Sequence, residues 1–443
     1  MRLVQGFLFA FVLLTQTGHC RPGKPLVADD TRTVAMPVLT QTKTGQVLLS
    51  WTEKDPDGLV SFNTALSADG GKTFSEKRLV YAAKGIGNSR LMKPRILVQP
   101  NGTLVAVFVL RTETAPAATT SAMPSPAAPA PAEHNHAGMN HGDMKPTEAP
   151  KPAATTGERG GRPSRGPATT QIMVSSSTDN GQTWTAPKAV DSDPTPNLLR
   201  GFFDAAVLPN GELAIAYLKD VAGSTKHEER NLRLVVTKNG QFQPERIIDP
   251  VACDCCNVGL LVDANGALNV YYRDNNDDIR DMSRMVSTDN GLTFSSPKTI
   301  YADNWKINGC PHSGPSAIKM GNSALVAWYS GTTNNTPGLR VVTQQGERLA
   351  VIEEPSAKNA SLVEVPGAGV LLWDQVRGAT ETPTSAIAYR TFRGGKSSET
   401  KWLADSEQGQ NASGLVINNQ LVVAYELKRP GKPNALQLGY VSL

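Results

Sequence analysis

Cysteine and histidine are scarce in this chain: five and six among 443 residues. Helix-period apolar patterns are few, which argues against a helical core. An excess of charge of one sign is lacking too. The 44 Lys and Arg face 40 Asp and Glu, leaving a net +4. That balance removes the electrostatic basis for a nucleic-acid partner. Long apolar runs are missing except for one near the start, so no transmembrane segment is expected in the mature chain. What the chain does have is Gly (39) and Pro (31). That composition suits short strands joined by many turns, an all-β architecture.

The one apolar run lies within "MRLVQGFLFAFVLLTQTGHC". Arg2 supplies a charged start, and Leu3 to Leu14 form an apolar stretch too short to span a bilayer comfortably. This predicts an export signal at 1–20, a mature domain at 21–443, and a periplasmic or extracellular location. His19 stands where a lipid-attachment signal requires a small residue. Cleavage after Cys20 is therefore expected, with lipid anchoring at Cys20 as the alternative.

Three segments repeat almost letter for letter: "SADGGKTF" (67–74), "STDNGQTW" (177–184) and "STDNGLTF" (287–294). In each, the Asp can bond turn amides, the Gly tolerates a positive φ, and the aromatic packs under the turn. Weaker copies are "VTKNGQF" (236–242) and "VTQQGE" (342–347). A second element, strand–tight turn–strand, recurs as in "PRILVQPNGTLVAVF" and "DAAVLPNGELAIAY". Its first strands begin near residues 37, 94, 204, 258, 315, 361 and 413. The Ser-x-Asp-x-Gly-x-Thr-aromatic hairpin resembles the Asp box (BNR repeat) of the sialidase-like propellers. Seven units of four short strands then predict a seven-bladed β-propeller, with six blades, usual in sialidases of this type, as the alternative. The last unit has no outer strand of its own, and residues 25–35 are positioned to supply it.

One spacing is anomalous, and it holds an insertion at about 112–168, rich in Pro, Ala and Thr. Such a composition is expected to be disordered. Within it lies "HNHAGMNHGDM", carrying His134, His136, Met139, His141 and Met144. That run resembles the Met/His segments of exported copper-handling proteins; an incidental low-complexity linker is the bland alternative.

Propeller geometry allows residues to be assigned to faces. Every innermost strand starts at one face, here called the mouth, and the second strand returns to it. The Asp boxes end third strands and fall on the opposite face. Asp69, Asp179 and Asp289 are therefore expected to be structural. Cys253, Cys255 and Cys256 in "DPVACDCCNVG" lie just before the innermost strand of unit four. Cys310 and His312 in "INGCPHSGP" lie just before that of unit five. Both groups, and the root of the insertion, should meet at the mouth. Thiolate, imidazole and thioether form a soft donor set that suits Cu(I) best, then zinc or iron. Exported cysteines more usually form disulfides, so structural disulfides with no cofactor remain the alternative. Arg273, Asp274, Arg280 and Asp281 in "YYRDNNDDIRD" are candidates to orient the metal ligands, or else a solvated loop. Trp305 is a candidate cover. The pattern CxCC with "YRD" and "CPHSGP" resembles a subgroup of bacterial BNR-repeat proteins.

The sialidase resemblance also implies an arginine that binds a substrate carboxylate. Arg95 in "KPRILV" matches it, although Leu97 replaces the proline of the family's strand. Full sialidase chemistry needs three arginines, an acid/base Asp and a Tyr nucleophile paired with a Glu. Arg273 and Arg390 are candidates to join Arg95, Asp204 is a further polar residue at the mouth, and no Tyr–Glu pair stands out. The favoured expectation is an exported copper-binding propeller acting in tolerance, storage or delivery. A copper-handling protein is its expected partner. The alternatives are an exo-sialidase acting on a sialoglycan and a non-catalytic glycan- or protein-binding propeller. If the protein is an enzyme, sialidase-like hydrolysis or copper-dependent redox chemistry is expected.

Overall fold

The computed structural model describes residues 26–113, 168–224, 229–377 and 384–443. Apart from one 3-10 turn at Arg90–Met92, the regular elements are strands, arranged in seven antiparallel sheets. These are the blades of a propeller, numbered one to seven along the chain. Six blades are thereby excluded. The innermost strands are Thr33–Gln41, Arg95–Val98, Arg200–Val207, Gly259–Val262, Ser316–Met320, Lys358–Val365 and Gly409–Ile417.

In blades two, four and five these strands start within a residue of the position the sequence predicts. In blades one, three, six and seven they start three or four residues earlier. The cause is a bulge near the mouth end of each strand. Its extra residue is left-handed: Met36 (φ 55°), Phe202 (55°), Asn359 (57°) and Asn411 (55°). A bulge breaks the two-residue alternation on which a strand is recognised, and it re-aims a side chain.

The three Asp boxes share one bonding scheme. In the first, the Ser67 hydroxyl donates to Asp69 Oδ1 (2.7 Å) and accepts from the Gly71 N–H (2.8 Å). Thr73 donates its N–H to Asp69 Oδ1 (2.9 Å) and its hydroxyl to Oδ2 (2.6 Å). Asp179 and Asp289 repeat the pattern. The box aromatics Phe74, Trp184 and Phe294 each pack into an apolar cluster shared with the neighbouring blade. The two weaker copies are plain hairpins, turning at Asn239–Gly240 and at Gly346.

Each of the seven blade-to-blade interfaces is filled by its own apolar cluster. Trp51, Trp328 and Trp373 are the largest apolar side chains sealed in them. Blade seven has three strands of its own, Gly409–Ile417, Gln420–Arg429 and Lys432–Ser442. Its fourth edge is supplied by the start of the chain, as expected. Leu26 N–H donates to Leu436 O (2.8 Å), and Leu436 N–H donates to Val27 O (2.8 Å).

The strands Leu104–Glu113 and Ala168–Ser177 of blade two pair directly, up to Glu113 opposite Ala168. The insertion is thus slightly shorter than 112–168, and it springs from the mouth face. Its residues 114–167, with His134, His136, Met139, His141 and Met144, lie outside the described residues, as does the segment 1–25.

The Asp-box carboxyls are held well below the ordinary carboxylate range, first by the Thr hydroxyl and then by backbone N–H groups. A depressed carboxylate stabilises the fold above its unfolded pKa, and that contribution is lost as pH falls towards the folded value. Replacing Asp69, Asp179 and Asp289 together by Asn should lower Tm at neutral pH. It should also flatten the fall in Tm below about pH 4. A triple variant that melts like the native protein at neutral pH would show that the boxes hold nothing together.

Candidate functional site at the channel mouth

The loop before blade four carries three buried sulfurs. It is held from both sides: Cys253 N–H donates to Arg273 O (2.9 Å), and Val258 N–H donates to Phe202 O (2.9 Å). Arg230 donates to Asp254 O, and its guanidinium lies 5.3 Å from the Phe202 ring centre. Within the loop, Cys253 Sγ is 3.2 Å from Cys256 Sγ and 4.0 Å from Cys255 Sγ. All three sulfurs fall within 4.8 Å of one another. Cys255 Sγ also lies within 4.8 Å of both Cys310 Sγ and a His312 ring nitrogen, from the loop before blade five. His312 has the left-handed backbone (φ 51°) seen in the bulges of four other blades. No disulfide joins Cys253, Cys255, Cys256 or Cys310. The cluster can hold a metal ion.

Arginines surround the sulfurs. Arg273 is only 2% exposed. It donates to Arg280 O (2.6 Å), Tyr329 O (2.8 Å), Ser313 Oγ (3.2 Å) and Ser313 O (3.3 Å), and stacks 4.9 Å from the Trp305 ring centre. These bonds pin the loop bearing Cys310 and His312 against blade four. Among the described residues no carboxylate pairs with Arg273 within salt-bridge distance. A buried cation without an anion is costly, and the Asp281 carboxyl and the nearby sulfurs are the groups able to supply one. Arg280 bonds Asp254 (3.2 Å) and Asp278 (3.4 Å). Burial is the largest influence and opposes its charge, but the Cys253 thiolate and Asp254 together outweigh it and hold the guanidinium above its ordinary value.

The three thiols titrate as one unit. Sulfur–sulfur hydrogen bonds with Cys255 and Cys256 hold Cys253 well below the ordinary thiol range, and Arg273 adds to this. Contact with Cys253 pushes Cys255 up, and burial pushes Cys256 up.

Arg273, Asp274, Arg280 and Asp281 are buried rather than a solvated loop. Asp281 accepts from the Asn304 (2.9 Å) and Trp305 (3.1 Å) N–H groups, setting the Trp305 ring on Arg273. Asp274 accepts from Asn276 and Ser283 and ties off its own loop.

Beside the cluster the mouth opens into a cavity of about 710 Å³, and His312 lines it. Its wall is basic, with Arg90, Lys93, Arg95 and Lys358. Arg95 pairs with Asp204 (2.7 Å), whose carboxyl is raised by burial although Arg95 opposes this. Arg90 reaches across to Asn359 Oδ1 (2.8 Å) and His312 O (3.4 Å). Burial, with Arg95 nearby, depresses the Lys93 ammonium to about 8. Behind Asn359 and Asn411 lie two buried carboxylates. Asp374 accepts from the Asn411 N–H (3.0 Å) and from Asn359, and Glu426 from Asn411 Nδ2 (3.1 Å) and the Met36 N–H (2.8 Å).

The arginines expected beside Arg95 are elsewhere. Arg273 serves the cysteine loops, and Arg390 sits on the third strand of blade six, bonded to Thr400 (2.8 Å). Arg90, Lys93 and Lys358 occupy the wall instead. They were discoverable, since Arg90 and Lys93 precede an innermost strand just as the cysteines do and Lys358 opens one. A Tyr–Glu pair does exist: the Tyr217 hydroxyl donates to Glu245 (2.5 Å). Tyr217 is buried with Asp191 and Lys219, Glu245 is part-buried, and neither lines the cavity.

Residues 160–360 match the family model described as a BNR repeat-like domain. In fold, the chain is a seven-bladed, all-β propeller. No curated protein matches the sequence significantly. Among solved structures, a protein of unknown function from Dyadobacter fermentans is 13% identical, with a TM-score of 0.50 over 94% of this chain and 96% of that one. An ulvan lyase is 10% identical (TM-score 0.50), over 93% and 94% of the two chains. A Hadza microbial sialidase is 14% identical (TM-score 0.49), over 94% and 67%. Identities this low speak to the fold alone. Among the described residues no helix is long and apolar enough to cross a membrane.

Burial raises Asp374 to about 7, and Glu426 adds to this. A carboxyl raised in the folded state binds its proton more tightly there, so its contribution to stability declines as pH rises from about 4 to about 7. Asp374→Asn should remove that decline. The stability difference between variant and native protein should shift in the variant's favour by roughly 2–3 kcal/mol from about pH 5 to pH 8. Urea denaturation across that range measures it, and parallel curves would place the ionisation elsewhere.

Proposed function

We propose that the protein is an exported Cu(I)-binding propeller that holds copper at the channel mouth. The observation that carries this reading is the convergence of Cys253, Cys255, Cys256, Cys310 and His312 from two adjacent blades. Four sulfurs and one imidazole form a soft set, and thiolates favour Cu(I) over harder ions. Arg273 and Arg280 offset the charge of such a set, and Asp281 with Trp305 keeps Arg273 in position to do so. The insertion supports the same reading. It is tethered to the mouth face by the paired strands of blade two, and its His134, His136, Met139, His141 and Met144 are donors that suit ion capture. Storage or delivery of copper, in exchange with a copper-handling partner, is the role such a buried donor set suits.

Protein purified without a metal-affinity tag should carry copper by elemental mass spectrometry, about one ion per chain or more. Cys255→Ser/Cys256→Ser should lose it. Native protein that stays copper-free after anaerobic loading with Cu(I) would end this reading.

A second reading rests on the basic cavity wall. Arg90, Lys93, Arg95 and Lys358 around about 710 Å³ suit an acidic saccharide such as a sialoglycan. Binding is favoured over hydrolysis, because the Tyr217–Glu245 pair lies outside the cavity. Calorimetry with sialyl-lactose should show salt-sensitive binding that Arg95→Met weakens by about tenfold. Binding unchanged in Arg95→Met, or turnover of a fluorogenic sialoside, would each contradict this second reading.

A further inference from the structure

We infer that the cysteine cluster holds two Cu(I) ions bridged by the Cys255 sulfur, one in an inner seat and one in an outer seat open to the cavity. This rests on the copper reading above and specifies how that site is built. The five donors do not form one shell. They form two triads, Cys253–Cys255–Cys256 and Cys255–Cys310–His312, each with its donor atoms within 4.8 Å of one another, and Cys255 is their common member. Donors on one ion lie no farther apart than twice the bond length, about 4.6 Å for a metal–sulfur bond of about 2.3 Å. The donors as a set of five exceed that span, so one ion cannot engage them all. A thiolate sulfur has lone pairs enough to bind two ions at once, and Cys255 is the sulfur within reach of both positions.

The seats differ in access. Cys253, Cys255 and Cys256 are at most 2% exposed. Cys310 is half-buried, and His312 is exposed and lines the cavity. An ion arriving through the cavity therefore meets the outer triad first. Movement inward is ligand exchange at Cys255: bonds to Cys310 and His312 break as bonds to Cys253 and Cys256 form. The oxidation state does not change.

Anaerobic titration of the full chain with Cu(I) against a chromophoric Cu(I) chelator tests the arrangement. The native protein should bind about two equivalents. Cys310→Ser/His312→Ala should retain about one, filled more slowly, and Cys253→Ser/Cys256→Ser about one, released more readily. X-ray absorption of native protein at full loading, which needs no variant to fold, should show a copper–copper scattering path. Saturation of the native protein at one equivalent, with no copper–copper path, would overturn the bridged pair and leave the copper reading standing. Absence of Cu(I) binding would overturn both.

Discussion

A ring of twisted sheets has to close, and here closure depends on hydrogen bonds between the two ends of the described chain. Leu26 and Val27 pair with Leu436 and complete the edge of blade seven. With the ring closed, every blade has two neighbours, and all seven interfaces fill with apolar side chains. The same closure makes the innermost strands converge. Residues just ahead of those strands, remote in sequence, are then gathered at one mouth. The cysteines of blade four and the Cys310–His312 pair of blade five meet there, held also by direct packing of the two blades and by Arg273.

Local backbone geometry refines what closure brings together. The left-handed residue that recurs near the strand starts carries no shared side chain: it is Met36, Phe202, His312, Asn359 or Asn411. The shared feature is the turn of the backbone. Where the side chain is Asn, it lines the cavity wall and bonds a carboxylate behind it. Where it is His, it joins the donor set. One structural device therefore serves both the basic cavity and the thiol cluster. Between them stands Arg273, buried, in no salt bridge among the described residues, and bonded to the loop that carries His312. Cation and thiolates each relieve the other's burial penalty.

Much of this was legible in the residues. The Asp-box triplet and the strand–turn–strand repeats predict the blade number, and the strand phase predicts which loops share a face. Strand starts were misplaced only where a bulge interrupts the alternation, as at Met36 and Asn411. The roles of arginines were read less well. Arg273 precedes an acidic loop and resembles a ligand-binding cation, yet it packs inward under Trp305. Arg90, Lys93 and Lys358 sit in unremarkable stretches and become a basic wall only when blades two and six face one another. The Tyr217–Glu245 pair shows the converse: the right residue types, placed outside the cavity.

The sequence by itself determined the repeat, the all-β class, the face on which the cysteines lie and the types of donor available. Those follow from period, turn chemistry and composition, which are local. Only the tertiary structure decided that the donors divide into two triads around Cys255, that Arg273 and Arg280 balance them, and that His312 alone among them borders the cavity. Those depend on distances across blades of a few ångströms and on burial. Side chains more than fifty residues apart acquire such distances only when the ring closes.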